Sequence, residues 1–181
     1  GRVPEDYDMS HLLAAGAGCE AVNNNQLDRV QEFLHKHNCN VRFTVGYGSS
    51  EGGSNLTFQM APKSVHNGNV GIPMPLNDMG VFKPGTQEEL GYNEMGEICT
   101  VGPGNMLGYD RRSATAKTLQ RHADGKIWLH TGDIGYVDED GVFYVLNRGA
   151  AFRYGGGELA VLPMENRLAD AKIKGIKDEF F

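Results

Sequence analysis

Short apolar runs cut apart by glycines set the texture of this chain, and they limit it to short elements joined by tight turns. Glycine supplies 25 of the 181 residues, about twice its usual ~7% share. These glycines form neither a repeat nor a linker. They stand at the ends of apolar segments, as in a turn-rich fold whose backbone approaches ligands closely.

The pattern divides the chain. Residues 1–9 are polar and unperiodic and read as an arriving loop. Leu12, Leu13, Ala14 and Ala15 predict a buried strand ending in the glycine turn Gly16-Ala17-Gly18. A helix is expected from about Asn24 to His37, capped by Asn23 or Asn24, with Leu27, Val30 and Phe33 or Leu34 on its apolar face. Val41–Val45 is β-branched and aromatic and predicts the next strand. Strand, helix, strand is an α/β unit, and ligands sit at the strand ends of open α/β sheets. After Gly53 short apolar runs alternate with Pro, Gly and Asn turns as far as Leu146, which predicts a small curled sheet or distorted barrel. One helix is expected there, over Arg111–Arg121. Asp138–Gly141 marks a hairpin between Ile134–Val137 and Val142–Leu146. Further on, Met164–Ala169 is amphipathic, and Phe180-Phe181 reads as the start of a strand. The fold class is therefore α/β of the mixed α+β kind.

Composition removes several functions. A net charge of −6 and a pI near 5.5 argue against nucleic acid as a partner. No apolar run reaches the roughly 18–20 residues of a spanning helix. Cys19, Cys39 and Cys99 fit no metal spacing, and their odd number suits a reduced, cytoplasmic setting. His35, His37 and Cys39 look like a solvated helix terminus, not a metal site. Gly16-Ala17-Gly18 is no dinucleotide fingerprint, because Ala21 stands where the third glycine belongs.

Two strings carry chemistry. In YGSSEGG (47–53), Ser49, Ser50 and the backbone at Gly48 can donate to phosphate oxygens. Glu51 suits a hard cation such as Mg²⁺, and Tyr47 offers a flat face to a base. Taken alone, an ordinary Gly/Ser turn explains this string better. HTGDIGYVDEDG (130–141) is more specific: Thr131-Gly132 makes a turn that aims Asp133, which can accept from both hydroxyls of a ribose. Asp138, Glu139 and Asp140 read as solvated hairpin acids. Arg148 follows the second hairpin strand, where chain reversal can return it near Asp133; in isolation it would be a surface salt bridge. The segment GEICTVGPGNMLGYDRRSATAKTL (96–119) reads as architectural.

In order along the chain, YDMSHLLAAGAG, YGSSEGG, GEICTVGPGNMLGYDRRSAT and HTGDIGYVDEDGVFYVLNR resemble motifs of the adenylate-forming superfamily. That superfamily holds acyl-CoA synthetases, luciferases and the adenylation domains of peptide synthetases. The resemblance implies that Gly16, Ala17 and Gly18 line the adenine pocket and acyl tunnel and that Tyr47 stacks on adenine. It gives Ser50 the α-phosphate and Glu51 the Mg²⁺, the two catalytic positions, with Gly48 and Ser49 beside them. Asp133 would hold the ribose diol with Arg148 assisting. The implied reaction joins a carboxylic acid, expected to be a fatty acid, to CoA at the expense of ATP through an acyl-adenylate. Three segments follow: residues 1–66 as the end of an α/β nucleotide-binding subdomain, 67–147 as a β-rich barrel-like subdomain, and 148–181 as a hinge and the start of a mobile C-terminal domain.

Departures limit the match. The family's lysine-bearing phosphate loop and its late lysine are both missing, and Ala150 stands where a polar hinge residue is usual. The expectation is a fragment that does not turn over alone. The alternatives are an adenylation module loading a carrier protein and a non-catalytic nucleotide-binding relative.

Overall fold

The computed structural model describes residues 3–18, 22–59, 65–147, 152–154, 157–159 and 161–170. The first elements are β1 (Ala15–Ala17), α1 (Asn24–Lys36), β2 (Phe43–Val45), β3 (Gly48–Ser49), β4 (Ser54–Asn55) and β5 (Thr57–Phe58). There follow β6 (Asn69–Pro73), β7 (Asp78–Phe82), β8 (Gly96–Val101), α2 (Arg112–Thr118) and β9 (Leu119–Arg121). The remainder are β10 (Ile127–Val137), β11 (Phe143–Asn147), β12 (Phe152–Tyr154), β13 (Gly157–Leu159) and α3 (Val161–Asp170).

The α/β unit forms as expected, with one shift. Helix α1 begins with a capping box: Gln26 N–H donates to Asn23 Oδ1 and Asn23 N–H to Gln26 Oε1, each at 3.0 Å. It ends in a Schellman-type turn at Asn38, where Cys39 N–H donates to Leu34 O at 2.9 Å. That turn draws His37 and Cys39 inward, while His35, Lys36 and Asn38 stay solvated as expected; His37 Nδ1 lies 2.8 Å from Phe33 O. Leu27 and Leu34 form the buried face and Phe33 stays exposed. Strand β1 is not the Leu12–Ala15 run. It starts at Ala15, where pairing with β2 begins, and runs through Gly16 to Ala17, while Leu13 is 95% exposed.

The second part is a curled, half-barrel sheet of seven strands in the order β5-β6-β11-β10-β8-β7, with β9 also paired to β10. Every pairing in it is antiparallel. Both faces are covered. Val81 and Ile98 pack into one core, while their chain neighbours Phe82 and Cys99 join a second core with Trp128. Since successive residues of a strand point to opposite faces, two-sided burial explains why VFKPG and GEICTV lack a polar alternation. The first core also holds Leu27, Val45, Tyr47 and Leu56, so it runs unbroken from the α/β unit into the sheet. The boundary expected at residue 66 falls between the paired strands β5 and β6.

Two elements differ from expectation. The helix expected over Arg111–Arg121 stops at Thr118, because Leu119–Arg121 pair with Ile127–Leu129 instead. The backbone of β9 gains a sheet partner there that a further helical turn lacks. Asp138 is not merely solvated: its Oδ1 accepts from the N–H groups of Asp140 and Val142 at 3.0 Å, and Tyr144 Oη donates to its Oδ2 at 3.1 Å. The hairpin itself forms as expected, with Gly141 at φ +76°. Helix α3 covers the predicted amphipathic stretch, yet it buries Asn166, whose Oδ1 accepts from Asn24 N–H at 3.0 Å, and exposes Met164 and Leu168. Phe180-Phe181 lie outside the described residues.

Leu129 is fully buried between β8 and β9, whereas Ile127, two residues earlier, is 47% exposed. Leu129→Ala is expected to lower the unfolding free energy by about 2–5 kcal/mol. Ile127→Ala should change it by less than about 0.5 kcal/mol. Urea denaturation of both variants checks the pair.

Candidate functional site

Because β1 and β2 run parallel with Ala17 opposite Val45, their C-terminal ends emerge side by side. Gly46 N–H donates to Ala17 O at 3.0 Å, which seats Gly16, Ala17 and Gly18 beside the entry to YGSSEGG. That string is a Gly/Ser turn in its local geometry. Gly48 and Ser49 pair with Asn55 and Ser54 in a small hairpin, closed by Gly52 N–H donating to Ser49 Oγ at 3.0 Å. Gly53 sits at φ +80°, and a Cβ there would lie 2.3 Å from Gly104 O. Only glycine therefore lets the loop rest on the 102–106 segment, where Met106 N–H donates to Glu51 O at 2.7 Å. Gly48, Ser49, Ser50, Glu51, Gly53, Ser54 and Asn55 line an open cleft of about 580 Å³.

Glu51 meets a partner that sequence reasoning missed. Tyr109 Oη donates to Glu51 Oε1 at 2.7 Å. This bond, more than any other influence, holds the Glu51 carboxyl below its ordinary value near 4.5 and raises Tyr109. An ionised carboxylate beside three serines in an open cleft fits a hard cation such as Mg²⁺. Tyr109→Phe should move the Glu51 pKa back up toward 4.5, read by carboxyl-carbon NMR titration. The sign for stability follows. A depressed folded pKa stabilises the protein above the unfolded value, and that contribution is lost as pH falls through the folded one. The variant should lose this part of the acid dependence.

Asp133 lies not in a turn but inside the eleven-residue strand β10, at a bulge. The register against β8 shifts between His130 and Ile134, and Gly132 takes φ +76°. Thr131 Oγ1 donates to Ile98 O at 2.7 Å and accepts from Asp133 N–H at 3.1 Å. The bulge aims the buried Asp133 at Tyr47, whose Oη donates to Asp133 Oδ2 at 2.7 Å across 86 residues of sequence. Tyr47 is only 3% exposed, so in this structure its hydroxyl, not an open ring face, defines its place. Its backbone is fixed from the other side by Thr57, whose Oγ1 accepts from Tyr47 N–H at 3.0 Å.

Behind the bulge, Glu97 Oε1 accepts from Gly132 N–H at 2.9 Å, and its Oε2 is 3.0 Å from His130 Nδ1. His130 Nε2 lies 2.9 Å from His122 Nε2. Cys99 Sγ is 3.4 Å from His130 Nδ1, so the fold gathers a Glu-Cys-His cluster that no spacing announced. It fits a metal poorly. Burial, and then the charge of Glu97, push the Cys99 thiol well up, which opposes the thiolate a metal would need.

The fold thus brings together Gly16–Gly18, Tyr47–Glu51 and Asp133. Asn147 pairs with Ile134, which carries the end of β11 past Asp133. Arg148 and the hinge candidate Ala150 lie outside the described residues. Tyr109 and Glu97 both stand in the segment read as architectural; the Gly-Tyr and Gly-Glu pairs in it were the available signals.

The sequence model of a family described as AMP-binding enzyme matches residues 2–110. A probable 4-coumarate–CoA ligase of Dictyostelium discoideum is 32% identical over 96% of this chain and 32% of its own length. A 4-coumarate–CoA ligase of Oryza sativa subsp. japonica is 34% identical over 96% of the chain and 33% of its own. Among solved structures, a long-chain-fatty-acid–CoA ligase from Archaeoglobus fulgidus superposes with a TM-score of 0.72 at 25% identity, over 83% of this chain and 31% of that one. O-succinylbenzoate coenzyme A synthetase from Bacillus subtilis, in complex with ATP and magnesium ion, gives 0.69 at 25% identity, over 92% and 33%. The chain spans about a third of the length of these two curated relatives.

Proposed function

The chain belongs to the AMP-binding enzyme family, and on that premise we propose that it forms the AMP-holding part of an ATP-dependent acid–thiol ligase. In that reaction a carboxylate oxygen attacks the α-phosphorus of ATP and pyrophosphate leaves with the bonding electrons. The thiol of CoA then attacks the acyl carbonyl and AMP leaves. The observation that carries the reading is the Tyr47–Asp133 hydrogen bond, which joins the phosphate-side loop to the ribose-side carboxylate. Asp133 is an acceptor-only carboxylate beside that loop, the chemistry that the ribose hydroxyls ask for. Ser50 and the backbone at Gly48 and Ser49 face the α-phosphate. Glu51 would hold Mg²⁺, which supplies charge neutralisation to the phosphates when bound. Gly16, Ala17 and Gly18 border the adenine, and Arg148 assists at the ribose. Holding anionic reactants in line in a preorganised polar site is what this chemistry asks of its residues.

The acid is proposed to be a fatty acid. The relatives named 4-coumarate–CoA ligases make a hydroxycinnamic acid the second class to test. A reduced, cytoplasmic setting belongs to the same reading. Isothermal titration with AMP is expected to show binding to the full chain. Asp133→Ala should weaken it about 10- to 100-fold, the loss of charge-assisted hydrogen bonds worth roughly 1.5–3 kcal/mol. Hydroxamate trapping with ATP, Mg²⁺ and a panel of fatty and hydroxycinnamic acids, applied to the protein that carries this chain, reads the acid class; CoA against a carrier protein reads the acceptor. A folded chain with no affinity for AMP would sink the proposal.

A further inference from the structure

We propose that Glu97 is a positioning residue for Asp133: it holds the bulge that aims the ribose-binding carboxylate, and His130 holds it in turn. This rests on the reading of Asp133 as the ribose ligand. The strained point of β10 is Gly132, at φ +76° between two registers of pairing with β8. Its N–H falls outside the regular ladder there, and the group that takes it is Glu97 Oε1 at 2.9 Å. The other oxygen of Glu97 faces His130 Nδ1 at 3.0 Å, and the His130 ring is 4% exposed. Facing a carboxylate, His130 Nδ1 carries the proton, and its Nε2 then accepts from His122 Nε2–H at 2.9 Å. Phe82 and Trp128 pack around the two imidazoles.

The arrangement is a hydrogen-bonded chain, buried at His122 and His130, that runs through Glu97 to the exposed backbone of Gly132, one residue from Asp133. Glu97 reaches the site only through that backbone. Removing its carboxylate leaves the Gly132 N–H without its acceptor and His130 Nδ1 without its partner, so the bulge relaxes and Asp133 loses its aim. The adenine and phosphate contacts, on β1 and on the 48–55 hairpin, stand on other elements, and the Tyr47 backbone stays held by Thr57 when the Tyr47–Asp133 bond loosens.

The test compares AMP with 2′,3′-dideoxy-AMP, which lacks the ribose diol, by isothermal titration on the full chain. Glu97→Ala is expected to weaken AMP at least about tenfold, the scale of a lost charge-assisted hydrogen bond, and to leave dideoxy-AMP at the wild-type affinity. Glu97→Gln keeps an oxygen for the Gly132 N–H and should recover most of the loss. Should Glu97→Ala fail to fold, Glu97→Asp, with its carboxylate drawn back by one methylene, carries the same expectation. Unchanged AMP affinity overturns the proposal, and so does equal weakening of both ligands, which is what a general structural role produces. Asp133→Ala is the separate control. If it leaves the preference for AMP intact, the ribose assignment fails and the proposal falls with it; if it abolishes the preference while the Glu97 variants do not, only the positioning role fails.

Discussion

Strand β10 has to break step with β8, and the site depends on that break. It pairs with β8, β9 and β11 along its length, so three neighbours constrain its register. A regular strand between those constraints would present residues 131–133 in simple alternation. The shift between His130 and Ile134 inserts a bulge instead, and Gly132 supplies the positive φ the bulge needs. Asp133 turns toward Tyr47 as a result. The Tyr47 end of the 47–53 loop and the Asp133 carboxylate are thereby joined by one short hydrogen bond between two buried groups.

Such a bond is sustainable only if the surroundings satisfy the remaining polar atoms, because a buried polar group without partners is costly. They do so in layers. Thr131 closes the bulge on itself and on Ile98 O, Glu97 takes the Gly132 N–H, and His130 and His122 complete the chain. On the other side Thr57 Oγ1 accepts from Tyr47 N–H and donates to Val70 O at 2.7 Å. Two apolar cores flank these networks. The cleft at 48–55 is open by contrast, and its carboxylate, Glu51, is steadied by the exposed Tyr109. The candidate site is therefore closed at Asp133 and open at Glu51.

Much of this was legible because local rules act on local sequence. Asn23 and Gln26 sit at capping-box spacing, Leu27 and Leu34 share a helical face, and Asp138–Gly141 can hardly be anything but a turn. Errors arose where a distant partner overruled the local preference. Leu119–Arg121 continue a helical pattern yet join β10; Leu12 and Leu13 look like core yet precede the pairing. His37 and Cys39 read as solvated, and a Schellman turn folds them inward. Thr131-Gly132 reads as a turn, and only the fixed registers on either side make it a bulge.

The sequence by itself determined the alphabet of the site: which strings can bind phosphate, ribose and cation, their order, and the family they belong to. Side-chain chemistry and backbone permissiveness are properties of the residues and need no neighbours. What the tertiary structure alone decided is who meets whom. Tyr47 with Asp133, Tyr109 with Glu51, and Glu97 with Gly132 are separated by dozens of positions, so no periodicity or motif relates them. Sheet pairing does. The order β11-β10-β8 and the break in register between β10 and β8 bring Asp133 to Tyr47 and Gly132 to Glu97, and burial obliges Tyr47 and Asp133 to find each other.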